Sequence, residues 1–231
     1  MKHILIMAAE QEELDAAAAA YNGVRSQTES SLSIKFMLCG IGVTSATYAI
    51  TKEIYRAAAA GVRYNMAILV GLAGSYCLQK FPLGSIALIN RAYLGDLGFD
   101  TPAGLRTLFD TKVLDSNIFP FKESTLCRPV VDNETELFLS RFNSADAVTR
   151  QTFTGSREKG AEIAAKFNAE IEDMEGAALH YVALMEHLPF FQLRAVSNEV
   201  GEKDRSKWNG PLALEAIKKA MLEYFYFECS R

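Results

Sequence analysis

The sequence predicts an α/β fold built on one sheet, with residues 1–231 forming a single domain. Three observations carry this prediction. Short apolar runs alternate along the chain with longer segments of helical period. Small-residue turns follow several of the runs, and no repeat, linker or low-complexity arm interrupts the alternation.

The elements follow in order. Residues 3–8 read as a buried strand, and residues 11–21 as an alanine-rich helix that Asn22-Gly23 ends. Residues 33–39 alternate and then turn apolar, giving a second strand. After Gly40-Ile41-Gly42, residues 44–60 form a helix closed by Gly61. Residues 66–70 make a third, fully buried strand, and Gly71-Leu72-Ala73-Gly74-Ser75 reads as a turn. Residues 84–90 give a fourth strand. Residues 96–124, with Gly98, Pro102, Gly104 and Pro120 among aromatics, read as long loops that shape a pocket or an oligomer contact. A strand over 147–153, a helix over 157–167, a strand over 169–173, a helix over 176–187 and a buried strand over 190–197 follow. A polar loop over 198–208 leads to a terminal helix over 212–226.

Composition excludes several classes. Hydrophobic residues make up 49% and charged residues 23%, enough for a sizeable core. The net charge of -4, with no basic tract, argues against a nucleic-acid partner. Cys39, Cys77, Cys127 and Cys229 lack CxxC spacing and read as reduced thiols of a cytoplasmic protein. The run over 4–9 is too short to span a membrane and meets Glu10, Glu12 and Glu13 at once. No HExxH and no His/Asp cluster implies a metal, and no cofactor motif is complete. Gly40-Ile41-Gly42 lacks the third glycine of a dinucleotide loop, and no GK[ST] follows any turn. A GxSxG elbow is absent, which argues against a serine hydrolase.

The chemistry-bearing stretch is Ile171-Glu172-Asp173-Met174-Glu175-Gly176-Ala177-Ala178, where three acids close a strand and small residues open a helix. Glu175 then sits by a helix N-terminus, where a carboxylate stays ionised; the alternative is an exposed helix cap. Ser197-Asn198 ends a buried strand in two polar residues, where α/β sheets build ligand sites; the alternative is that Asn198 starts a turn.

With Ala8-Ala9 and the two glycine motifs, these pieces resemble the purine nucleoside phosphorylase superfamily on its nucleosidase side, over most of the chain. Asp173-Met174-Glu175-Gly176-Ala177-Ala178 is similar to that family's ribose-binding signature, and Ser197-Asn198 stands where its Ser-Asp purine-binding pair stands. The resemblance implies a nucleoside phosphorylase-like, three-layer sandwich with a central mixed sheet flanked by helices. It also implies a small-molecule nucleoside substrate and a homo-oligomer, dimer or larger. The segment over 194–208, with Pro82-Leu83-Gly84 and Asp96-Leu97-Gly98, looks closest to the futalosine hydrolases, enzymes of menaquinone synthesis that release hypoxanthine. Adenine-specific relatives carry aspartate where this chain has Asn198. An amide NH2 donates to a 6-oxo group, and its carbonyl accepts from a protonated N7.

Residue roles carry over from the same resemblance. Glu13, or Glu12 one residue earlier, orients water; Glu175 holds the ribose; Asn198 stabilises the leaving base. Phe153 packs on the purine, or else is core, with Thr152 and Thr154 flanking it. Asp173 and Met174 belong to the ribose signature, Ser197 to the purine pair. Ala73 and Gly74 give close backbone approach, and Leu72 replaces a serine common in adenine nucleosidases. Lys203, Arg205 or Arg194 is offered to the benzoate of futalosine. Competing readings are a nucleosidase or phosphorylase acting on inosine, guanosine, methylthioadenosine or S-adenosylhomocysteine, a non-catalytic purine sensor, and a dinucleotide binder.

Overall fold

The computed structural model describes residues 1–25 and 32–230. In chain order the elements are β1 (Lys2–Ala8), α1 (Gln11–Arg25), β2 (Leu32–Leu38), α2 (Val43–Ala59), β3 (Met66–Ser75) and β4 (Ile86–Leu94). A hairpin of β5 (Gly98–Thr101) and β6 (Gly104–Thr107) follows, then β7 (Leu126–Cys127), α3 (Asn133–Leu139) and β8 (Asn143–Thr149). The chain ends with α4 (Arg157–Phe167), β9 (Ile171–Asp173), α5 (Gly176–Met185), β10 (Phe190–Glu199) and α6 (Gly210–Cys229).

Strand β1 shows why the sheet carries helices on both faces. Ile4, Ile6 and Ala8 pack with residues of α1 and α6, whereas Leu5 and Met7 pack with residues of α2 and α5. Alternate residues of a strand point to opposite faces, so a strand apolar throughout needs cover on each. The result is the expected three-layer arrangement with a mixed sheet. Parallel pairs join β1 to β2 and β3, β3 to β10, and β8 to β4 and β9; antiparallel pairs join β10 to β4 and β3 to β9. Because β10 bonds to both β3 and β4, strands β3, β10, β4, β8 and β9 close into a ring. The carboxyl ends of β3, β9 and β10 therefore converge at one mouth.

Several expected boundaries shift, each through a long-range contact. Helix α1 runs through Asn22-Gly23 to Arg25, because Val24 is fully buried in the core. Residues 71–75 are not a turn: Gly71 through Ser75 stay paired with β10, and Gly74 and Ser75 also pair with β9. The strand expected to reach residue 153 stops at Thr149, where the Arg150 N–H donates to the Asp173 carbonyl and the chain leaves the sheet. Helix α5 ends at Met185, before the left-handed His187. Residues 96–124 hold the β5–β6 hairpin, and beside it a groove of about 760 Å³ runs along α4. Helix α3 went unread although Asp132 caps it, accepting from the Thr135 N–H.

Candidate active site

A cavity of about 420 Å³ opens where the carboxyl ends of β3, β9 and β10 meet the start of α1 and the loops over 40–42 and 150–154. Ligand sites in α/β sheets form at such ends. Of the residues singled out in the sequence, Glu13, Ala73, Gly74, Thr152, Phe153, Asp173, Met174, Glu175, Ser197 and Asn198 line it. Glu12 and Thr154 do not. Glu12 is exposed on α1, and the helix turns Glu13 inward instead. Thr154 is buried behind the wall, its hydroxyl donating to Glu172.

Glu13 is held by backbone alone. It is the third residue of α1, placed to reach back to the amide before the helix. Its Oε2 accepts from the N–H groups of Ala9 and Glu10, both at 3.1 Å, and its Oε1 accepts from the Leu72 N–H at 2.7 Å. A carboxylate has about four acceptor sites, so about one of them remains open toward the cavity.

Glu175 comes from the other side. Its Oε1 accepts from the Gly42 N–H at 3.0 Å, and its Oε2 accepts from Arg194 Nη2 at 3.2 Å. Burial raises its pKa above the ordinary carboxylate value; Arg194 and the Gly42 N–H oppose this, while Asp173 and Glu13 add to it. Asp173 is buried beside it, accepting from the Thr149 hydroxyl at 2.6 Å, the Gly176 N–H at 3.1 Å and the Gln192 amide.

Arg194 ties this cluster together. It is 1% exposed, its Nε lies 3.1 Å from Asp173, and its Nη2 meets Glu175. Burial disfavours its charge, but Asp173 and then Glu175 outweigh that and hold its pKa above the usual guanidinium value. It therefore does not face the cavity as a cation for a ligand, which corrects one of the three basic residues offered to a substrate carboxylate. Its passage explains Gly71: a Cβ there would sit 2.4 Å from Arg194 Nη1 and 3.2 Å from Glu13 Oε1. Gln192, two residues earlier on β10, lies on the same face and reaches Asp173 as well. Two polar residues alternating within an otherwise apolar strand were the available sign of this pair.

At the opposite wall, β10 carries a bulge between Val196 and Asn198. Bulges re-aim side chains, and this one sets both Ser197 and Asn198 on the cavity. The Ser197 hydroxyl donates to Asn198 Oδ1 at 2.8 Å, and Asn198 Nδ2 donates to the Glu199 carbonyl at 3.1 Å. One N–H and one carbonyl lone pair of the amide stay open.

Phe153 is 65% exposed, which removes the core reading, and its ring lies edge-on to Trp208 at 6.1 Å. Arg205 stacks on Trp208 at 5.6 Å, and both line the cavity. Lys203 is exposed and does not. Trp208 was missed in the sequence; its signal was a lone tryptophan at the end of a polar loop. Glu172, one of the three acids of the 171–178 stretch, also lines the cavity, as do Glu10 and Ile41, which were given no role in it. Among the described residues, no group of three or more His, Cys, Asp or Glu side chains could hold a metal ion.

Comparison with known proteins agrees with this fold. A family model described as the phosphorylase superfamily matches residues 3–225. A futalosine hydrolase of Streptomyces coelicolor is 25% identical over 228 residues, covering 95% of this chain and 93% of that protein. A futalosine hydrolase of Thermus thermophilus is 29% identical over 189 residues, covering 80% and 78%. Among solved structures, the 5′-methylthioadenosine/S-adenosylhomocysteine nucleosidase of Helicobacter pylori superposes with a TM-score of 0.75 at 17% identity, covering 98% of each chain. A futalosine hydrolase from the same organism gives 0.74 at 16% identity, covering 96% of this chain and 98% of that one.

Proposed function

The chain belongs to the phosphorylase superfamily, and from that premise we propose that it is an N-glycosidic hydrolase cleaving futalosine to hypoxanthine and dehypoxanthine futalosine. One observation carries the reading: two buried carboxylates, Glu13 and Glu175, share a cavity with an amide at position 198, at the end of β10. The relatives named futalosine hydrolases support the substrate.

In this reading the purine lies between Phe153 and Asn198, and the ribose lies over Met174 toward Glu175. Cleavage passes through an oxocarbenium-like sugar, as in other glycoside hydrolyses. Glu175 offsets the developing positive charge and holds a ribose hydroxyl. The open acceptor site on Glu13 takes a proton from water, directing its oxygen at the anomeric carbon. Asn198 donates to O6 and accepts from N7–H of the leaving base, whose proton comes from solvent. Hydrolysis is favoured over phosphorolysis by charge. Glu10, Glu13, Glu172, Asp173 and Glu175 line the cavity, Arg194 is committed to Asp173 and Glu175, and among the described residues Arg205 is the one basic side chain of the lining. Arg205 at the mouth is the cation offered to the benzoate.

The test is incubation with futalosine, inosine and methylthioadenosine, with and without phosphate, followed by chromatography of the free base. Hypoxanthine release from futalosine without phosphate is expected. Release that requires phosphate would end the hydrolase assignment.

Two further outcomes are expected. The Asn198→Asp change should lower kcat/KM for futalosine by about ten- to a hundredfold and raise it for 6-aminopurine nucleosides, because the amide donor to O6 is lost. An unchanged preference would remove Asn198 from base recognition. For pH, the raised pKa of Glu175 means it takes its proton at a higher pH than a free glutamate. The acid limb of kcat/KM, which reports the free enzyme, should therefore lie above the ordinary 4.5, and Glu175→Gln should abolish that limb along with most activity. A limb at or below that value would sink the assignment of charge to Glu175.

A further inference from the structure

Gln192 is fully buried in the middle of β10, and the reaction above leaves it without a task. Phe190, Phe191 and Leu193 beside it are apolar, and burying an amide among them costs free energy unless it is hydrogen-bonded. Only its NH2 is. Nε2 donates to Asp173 Oδ2, while Oε1 is buried with no donor among the described residues. An apolar side chain here would leave no such orphan, so the amide is kept for what its NH2 does. An ionised carboxylate only accepts, which fixes the NH2 on the Asp173 side. Gly176 gives the amide its room: a Cβ there would fall 2.5 Å from Gln192 Nε2 and 2.7 Å from Oε1.

What the NH2 controls is the sharing of one arginine. The Nε and Nη2 hydrogens of a guanidinium lie along one edge, which can grip both oxygens of a single carboxylate. In Arg194 that edge is divided: Nε faces Asp173 Oδ2 at 3.1 Å, and Nη2 donates to Glu175 Oε2 at 3.2 Å. The Nε approach is close but is not a hydrogen bond. Asp173 is already supplied, by the Thr149 hydroxyl and the Gly176 N–H on Oδ1 and by Gln192 on Oδ2. Three neutral donors thus occupy the carboxylate that would otherwise draw the guanidinium onto itself.

We propose that Gln192 is a positioning residue for the hydrolysis: by filling Asp173 Oδ2 it holds Arg194 off Asp173 and leaves the guanidinium to Glu175. The inference rests on the role given to Glu175 above. Without the Gln192 donor, Nε–H turns onto Asp173 Oδ2, Nη2 draws back from Glu175, and Glu175 takes its proton at a higher pH. The other groups around the cluster do not compensate. Asp173 and Glu13 oppose the Glu175 charge, and burial pushes the Cys39 thiol up to about 12, so it stays neutral. His180, one turn along α5 from Gly176, is pushed down to about 4 by burial and carries no charge above that pH.

The test reads Glu175 directly. In protein carrying isotope-labelled glutamate, the Glu175 carboxyl is assigned by its loss in Glu175→Gln and followed by NMR through a pH titration, beside the pH profile of kcat/KM for futalosine. Gln192→Met keeps the bulk without the donor. The Glu175 midpoint and the acid limb are expected to move up together by about 0.5–1 unit. At a pH below the limb kcat/KM then falls about three- to tenfold, while the plateau stays within about threefold. Gln192→Glu keeps the shape, and crowding by Asp173 makes the new carboxyl hold a proton that it can donate. Its midpoint is expected within about 0.3 unit of wild type. An unmoved midpoint in Gln192→Met overturns the proposal. So does an equal shift in both variants, since altered packing would account for it. Asp173→Asn covers a Gln192→Met that does not fold: with the rival charge gone, the Glu175 midpoint is expected to drop by about 0.5–1 unit, and no drop overturns the proposal. The reaction is scored separately. A raised Glu175 midpoint with futalosine left intact removes the substrate but keeps the positioning role. Futalosine cleavage with an unmoved midpoint does the reverse.

Discussion

The Glu13→Gln variant is expected to release base from futalosine about 10²–10⁴-fold more slowly than wild type, the range for removing a general base. The effect should fall on kcat more than on KM, since Glu13 acts on water rather than on the nucleoside. Part of the loss is positional. Glu13 accepts from three backbone N–H groups, and a glutamine has one acceptor oxygen, so its NH2 must face at least one of those donors. Stability should therefore fall by about 1–3 kcal/mol, read from the urea midpoint. Glu12→Gln is the control. Glu12 is exposed on the outer face of the same helix turn, and its removal should leave turnover within about twofold, as for surface changes generally. Turnover retained in Glu13→Gln and lost in Glu12→Gln would reverse the two residues and with them the helix register assigned to the site.

Arg194→Leu should cost the most stability of any single change near the site, about 3–5 kcal/mol. The guanidinium is 1% exposed and lies within 3.2 Å of both Asp173 and Glu175. Leucine fills part of the volume but leaves two buried carboxylates facing each other without a counter-charge. The deficit should depend on pH. The folded-state pKa of Glu175 already lies above its ordinary value, and without Arg194 it rises further. A carboxylate raised on folding destabilises above its folded pKa and is relieved as pH falls, so the variant should recover more stability on mild acidification than wild type does. Adding Glu175→Gln to Arg194→Leu should likewise restore part of the loss, giving a coupling energy of about 0.5–3 kcal/mol. An unchanged urea midpoint in Arg194→Leu would show that the cation does not bind the cluster together.

Much of the fold was legible because its signals are local. Strand β1, helices α2 and α4 and the apolar part of β10 declare themselves by period, and each was placed to within a few residues. The acids over 172–175 and the Ser197-Asn198 pair were legible as polar residues at the ends of apolar elements, where few neighbours compete for them. What failed was whatever depended on a distant partner. Gly71 and Gly74 look like turn residues, yet they extend a strand because β10 pairs with both and β9 with Gly74; their lack of a side chain makes room for Arg194 and for Val200. Phe153 looks like a strand end, yet it stands at the mouth against Trp208.

By itself, then, the sequence determined the alternation of strands and helices, the acids, and an amide at the end of a buried strand. Tertiary structure alone decided that Glu13 rather than Glu12 faces the cavity, that Arg194 is buried against Asp173 and Glu175, and that a bulge sets Ser197 and Asn198 on the cavity. The reason is physical. Periodicity and helix signals act over a few residues, whereas the partner of a buried charge is set by strand register between segments about 120 residues apart, and register is fixed only when the whole sheet closes.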